Sequence, residues 1–230
     1  WTWDAATIAV LKGTPAADPG LSLLYPYDAT VWPRGILAPL LMWNPGAPAT
    51  YDAISIKLHE DAFDYEGTFT KNAPSFVNHP ISQQAWKQLL SSNQGEEVTV
   101  TLTFAKGTTA YGPITIKWKI ASAPLKGIVY YNSYGTKLAH NFTGAKPNNG
   151  PFGGATLGIR GGSTDPILVA GGDGNETYCR VCHSVAANGS VLITQRETGD
   201  KRKFSTYDLK GPTETTMSPE GATANFAWSG

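Results

Sequence analysis

Charge is scarce in this sequence. Asp, Glu, Lys and Arg make up 16% of 230 residues, and eighteen acidic residues cancel eighteen basic ones. A neutral chain carries no electrostatic footprint for nucleic acid or for an anionic membrane, so neither is expected as a partner. Long apolar runs are missing too. "GILAPLLMW" at 35–43 is far too short for a membrane span, and no span is expected. Acid–base chemistry has no obvious seat: the carboxylates are scattered without a pair, and no Ser-His-Asp arrangement stands out. The Gly-rich stretches "GPFGGA" and "GGDGNE" lack the strand–turn–helix setting of a phosphate loop.

What is abundant is punctuation. The chain holds 25 Gly and 16 Pro, and Thr and Ser are plentiful. That is the profile of a turn-rich, neutral β-protein, expected to be secreted to the extracellular space or the periplasm. It opens at Trp1 rather than Met, as after removal of a leader or trimming. Sequons at Asn141, Asn175 and Asn188 would accept glycans in such a compartment, although a Thr-rich chain also produces sequons by chance.

Hydropathy divides the chain into three parts. Residues 1–44 are broken by Pro and Gly and read as an extended N-terminal segment. Residues 45–122 read as a β-sandwich of immunoglobulin or fibronectin type III kind. Within it "DAISIKLHE" alternates Ile54, Ile56 and Leu58 against Ser55, Lys57 and His59. "EEVTVTLTF" repeats the pattern with Val98, Val100, Leu102 and Phe104, and "GPITIKWKI" with Ile114, Ile116, Trp118 and Ile120. "SQQAWKQLLSS" interrupts them as a short helix with Ser82 as N-cap. "ASAPLKG" reads as a linker into a second β-rich region, 126–230, with strands in "GIVYYNSY", "GATLGIR", "PILVAGG", "SVLITQRE" and "RKFSTYDL". The expected fold class is therefore all-β.

The chain's two cysteines stand in "GNETYCRVCHSVAANGS", three apart, with His183 directly behind the second. Cys-x-x-Cys-His is the attachment signature of c-type haem: two thiols add across the vinyl groups and the adjacent imidazole takes the proximal position on iron. Structural zinc wants four ligands, but no further Cys exists and His59, His79 and His140 stand alone in sequence. A redox dithiol belongs between strand and helix of a βαβ unit, which this pattern lacks. A plain disulfide leaves His183 unexplained. The expected cofactor is one covalent haem c, bound by Cys179 and Cys182 and ligated by His183.

"HSVAANGSVLITQRETGDKRKFSTYDLKG" resembles a blade of TolB-like propellers, and "GIVYYNSYG" with "GATLGIRGGSTDPILVAGG" resembles a neighbouring blade. The chain has room for about two blades, fewer than a closed ring needs. "YPYDATVWPRGILAPLLMW", "FVNHPISQQAW", "GIVYYNSYGTKL" and "CRVCHSVAANGSVLITQ" also resemble, in the same order, secreted monohaem proteins of myxobacterial type with a sandwich followed by propeller-like repeats. That resemblance implies export and haem, and no particular reaction.

The sixth position on iron would decide the chemistry, since two strong ligands make an electron carrier and an open position admits ligands or peroxide. His79, beside Val77, Pro80 and Ile81, is the first candidate. Met217, in a Thr/Ser/Pro-rich loop, is the alternative. His59 and His140 read as solvated, and Met42 as core. Two functional classes follow. One is an electron-transferring cytochrome that serves a redox partner protein or extracellular acceptor, as a homo-oligomer or filament in its assembled variant. The other is a secreted structural or binding protein with a structural haem, and an open-site, peroxidase-like protein comes third.

Overall fold

The computed structural model describes residues 4–71, 74–139, 153–171, 180–195, 204–211 and 213–216. Its fold class is all-β, as the alternation predicts. Two compact units divide it, Trp1–Lys126 with Gly161–Thr164, and Gly127–Arg160 with Asp165–Gly230.

The first unit begins with helix α1 (Ala5–Lys12), capped by the Asp4 carboxylate, which accepts from Ala6 N–H at 3.1 Å. Strands β1 (Leu21–Tyr25), β2 (Val31–Arg34) and β3 (Leu40–Pro45) follow, then β4 (Ala53–Glu60), β5 (Phe63–Thr70) and β6 (Asn78–Pro80). Helix α2 (Gln83–Ser92), β7 (Glu97–Lys106) and β8 (Thr109–Pro124) complete the unit. A five-stranded sheet runs β2-β8-β7-β4-β5, and a three-stranded sheet runs β1-β3-β6. Only the β2–β8 pairing in these sheets is parallel.

Alternation places the core where the sequence pattern puts it. Ile54, Ile56, Leu58, Val98, Val100, Leu102, Phe104 and Trp118 are fully buried, while Lys57, His59, Lys117 and Lys119 on the opposite face are exposed. Leu41 and Trp43 of the three-stranded sheet join the same core from the other side, so the two layers make a sandwich-like unit. Trp43 touches Phe104 across the layers at 5.2 Å between ring centroids. Helix α2 adds Trp86 and Leu89, and its Ser82 cap accepts from Ala85 N–H at 3.4 Å. At its other end the Arg34 guanidinium donates to the carbonyls of Leu90 and Asn93, satisfying acceptors that a helix C-terminus leaves open.

Three readings change. Residues 1–44 are not a separate extended segment: they supply β1, β2 and most of β3, and Trp32, Leu41 and Trp43 lie in the core. Short apolar pieces between Pro and Gly hide a sheet whose partners are distant, such as Trp32 opposite Ile120. "ASAPLKG" is only partly a linker, because β8 runs on to Pro124. Met42 is exposed, not core, since alternation along β3 sends Leu41 and Trp43 inward and Met42 out.

The second unit holds β9 (Ile128–Thr136), β10 (Gly153–Arg160) and β11 (Ile167–Ala170), an antiparallel sheet in the order β11-β10-β9. A four-stranded antiparallel meander follows: β12 (Ser184–Val185), β13 (Val191–Gln195), β14 (Phe204–Asp208) and β15 (Thr213–Thr216). The two sheets meet through Ala170, Leu192 and Tyr207, with Tyr130, Val169 and Val185 packed around them. Gly189, with φ of 69°, makes the turn between β12 and β13 that the Asn-Gly pair predicts.

The core tryptophans give a test that separates packing from hydrogen bonding. Trp43 Nε1–H donates to the Phe76 carbonyl at 3.1 Å, whereas buried Trp32 Nε1 has no partner among the described residues. Trp118→Ala should cost about 3–5 kcal/mol. Trp43→Phe should cost about 1 kcal/mol more than Trp32→Phe, because it strips a buried carbonyl of its donor. Denaturant unfolding of the three variants checks both statements.

Candidate functional site

The Cys-x-x-Cys-His segment enters the described structure at Arg180; Cys179 lies outside the described residues. Arg180 is fully buried. Its Nε–H donates to the Tyr207 hydroxyl at 2.9 Å, its backbone N–H to the Gly154 carbonyl at 2.8 Å, and its carbonyl accepts from Thr156 Oγ1 at 3.0 Å. The next residue, Val181, is buried and its carbonyl accepts from Gln195 N–H at 3.1 Å. One short stretch is thus tied to β10 on one side and to β13 and β14 on the other.

Beyond Val181 the register slips. Val181 bonds to Gln195, but Ser184 stands opposite Ile193 and Val185 opposite Leu192. Three steps on this strand therefore match two on β13, which is a β-bulge at Cys182–His183. Cys182 takes φ of 56°, a left-handed conformation uncommon for a residue with a side chain. Bulges of this kind re-aim side chains and concentrate at functional sites. Arg180–His183 belongs to no strand or helix and bends at Cys182.

Cys182 is a half-buried free thiol. His183, also half-buried, projects to β9, where its Nδ1 lies 2.7 Å from Asn132 Oδ1. An amide oxygen only accepts, so Nδ1 donates in this contact. Burial lowers the imidazole pKa from 6.5, against an opposing hydrogen bond to the Tyr130 carbonyl. The ring is thereby held neutral and oriented against β9, by Asn132 Oδ1 and the Tyr130 carbonyl, and a neutral, oriented imidazole is what metal ligation asks of a histidine. A cavity of about 280 Å³ in the same unit is walled by Tyr130, Ile167, Val169 and Tyr207, with Arg160 and Lys210 at its polar side.

Asn132, Arg180 and Tyr207 were not singled out by the sequence. Asn132 does leave a trace, as a polar residue inside the strand "GIVYYNSY", two positions from Tyr130 and so on the same face. Arg180 leaves none, because a basic residue between two cysteines reads as a solvated spacer.

The other candidates separate. His79 lies on β6 in the first unit, opposite Leu41 of β3. Its ring stacks on Phe69 at 4.0 Å and meets Phe76 edge-on at 6.3 Å. Its Nδ1 donates to the Pro80 carbonyl at 2.7 Å. Burial lowers its pKa, with the Pro80 hydrogen bond opposing. His59 is solvent-exposed and pairs with Asp64 at 2.7 Å, as the alternation predicts. Met217, His140, Asn141 and Asn175 lie outside the described residues. Asn188 is exposed at the β12–β13 turn, where its Oδ1 accepts from Ser190 N–H and Oγ.

Comparison with family models, with curated proteins and with solved structures finds no match for this chain.

Two outcomes test this geometry. Tyr207→Phe removes the acceptor of a buried guanidinium N–H and should lower unfolding free energy by about 1–3 kcal/mol in denaturant titrations. The histidines set a pH dependence. Because the folded imidazoles of His79 and His183 titrate below 6.5, the unfolded chain binds protons first as pH falls. Stability should be complete above about 6.5 and decline from there down to the folded pKa values. His79→Gln should flatten part of that decline in unfolding curves collected between pH 5 and 7.

Proposed function

We propose that this chain is an extracytoplasmic monohaem protein of c type that transfers electrons. Cys179 and Cys182 would hold the macrocycle and His183 Nε2 would occupy the proximal position. The observation that carries this reading is the fixed, neutral His183 imidazole, its Nδ1–H on Asn132, directly behind the free Cys182 thiol. When bound, haem c supplies a one-electron couple whose potential follows its axial ligands and their hydrogen bonds.

The chain's own residues supply placement. Asn132 fixes the ring plane of His183, the outer-shell role that metal-bound histidines need. Arg180 and Val181 pin the strand that carries the thiol, and the bulge at Cys182 turns thiol and imidazole off the sheet's normal alternation. His79, whose Nδ1 donates to the Pro80 carbonyl, is the first residue to test as a sixth ligand. Met217 is the alternative. A redox protein or an extracellular acceptor would take the electron, with homo-oligomers or a filament as the assembled variant.

The test is an absorption spectrum, oxidised and reduced, with a pyridine haemochrome assay on protein produced alongside haem-attachment machinery. One covalent haem per chain with sharp low-spin bands is the expected result, and Cys182→Ala should abolish stable attachment. Spectra of His79→Ala and Met217→Leu then assign the sixth ligand. A matured protein with no Soret band would overturn the proposal.

A further inference from the structure

The outer face of the β1-β3-β6 sheet is set apart by what it omits. Along β3 the outward positions include Met42 and Asn44; Tyr25 and Asn78 flank Met42 in register, and Ser22 flanks Asn44. All five are exposed, and no residue of the three strands carries a carboxylate, an ammonium or a guanidinium. Tyr27 follows just beyond β1 and is 72% exposed. Other large apolar side chains are exposed on the described residues, among them Val31, Tyr134 and Leu168, but here Tyr25, Tyr27 and Met42 are gathered beside a sheet face without charge, the kind of patch that marks a binding surface.

The backbone that carries the Tyr27 ring is tied to the core. Tyr27's carbonyl accepts from Trp118 Nε1–H at 3.2 Å and from Thr30 Oγ1 at 2.7 Å, so the loop that carries its ring is tied to a core indole. Its ring stands edge-on to Tyr25, with centroids 6.4 Å apart and planes at 82°. Asp28, the nearest carboxylate in sequence, accepts from the Lys117 backbone N–H at 2.8 Å. Two perpendicular tyrosine rings, one on a tethered loop, with neutral amides and a hydroxyl on the adjoining strands, offer an aromatic corner whose backbone needs little ordering on binding.

We propose that this face binds a neutral polysaccharide. The C–H-lined face of a pyranose packs on an aromatic ring, and its hydroxyls pair with neutral donors and acceptors such as Asn44, Asn78 and Ser22. Nucleic acid, uronate polymers and sulfated glycans would find no cation on the strands to pair with. A folded protein surface would bring charged rim groups that this sheet does not answer. The inference stands on the first unit alone and is independent of the haem reading.

Affinity electrophoresis of the full chain through gels containing mixed-linkage β-glucan, xylan or dextran tests it, with alginate and heparin gels alongside. Retardation by at least one neutral polymer, unchanged at 0.5 M salt, is expected. Each of Tyr25→Ala and Tyr27→Ala should weaken it about tenfold, since an aromatic stacking contact is worth about a factor of ten. Circular dichroism and thermal melts should match the parent chain, because both rings are on the surface. Three results would overturn the proposal: no retardation by any of the neutral polymers, retardation only by alginate or heparin, or retardation that both variants retain. Sedimentation velocity provides a further arm. A concentration-dependent dimer that Tyr27→Ala dissolves, with no glycan effect, would assign the face to a second copy of the chain and sink the glycan assignment.

Discussion

Three indole rings hold the first unit together. Trp32, Trp86 and Trp118 meet pairwise at 5.5, 5.6 and 6.1 Å, each pair close to perpendicular. Edge-to-face packing of this kind aligns the positive rim of one ring with the negative face of the next. Each ring comes from a different element: the parallel edge strand β2, helix α2 and the long strand β8. The triangle therefore fixes the helix against the sheet and keeps β2 in register, although β2 and β8 are far apart in sequence. Two of the three indole N–H groups also find backbone carbonyls, Ile36 for Trp86 and Tyr27 for Trp118. The second bond reaches the surface, so the geometry of an exposed tyrosine depends on a buried tryptophan.

The second unit solves a different problem, how to hold a reactive segment steady on the rim of a small sheet. Apolar packing alone does little there, because β12 is two residues long. Arg180 provides the anchor. A buried guanidinium is costly unless its donors are met, and its bond to Tyr207 with the backbone links to β10 gives the segment a single placement. The bulge then acts from a fixed origin, and His183 reaches Asn132 on the neighbouring sheet. Anchor, bulge and amide acceptor form a sequence of constraints, each of which makes the next effective.

Local pattern made much of this readable from the sequence. Strict alternation in β4, β7 and β8 located their buried faces, and Ser82 announced the start of α2 with its own side chain. The strands of the second unit followed from turn residues and β-branched runs. Residues 1–44 hid their role because their pairings are non-local: β2 gains its meaning only from β8, and β3 from β6 and the facing layer. The motif itself was plain, but its supports were not. Arg180 looks like a surface residue until Tyr207 arrives from a strand 27 positions later. Spacing reports the chemistry a segment offers, while the groups that orient it come from elsewhere in the chain.

The scarcity of charge has a structural cost that the edges of the three-stranded sheet answer. With no net charge, the chain has no long-range repulsion to keep copies apart, and an exposed face with Tyr25, Met42 and Leu40 invites association. Proteins with this problem often place lysine on edge strands. Here β1 and β6 have none. Instead β1 carries a register break between Leu23 and Tyr25 and runs directly into Pro26, while β6 is only three residues long and closes on Pro80. A bulge, a short strand and two prolines deny a second chain a continuous ladder of backbone donors and acceptors. Such devices block pairing at the edges but leave the face between them open. A charge-free face kept open in this way suits a ligand that stacks on it, and the edge devices keep it from becoming a sheet-to-sheet contact along the strands.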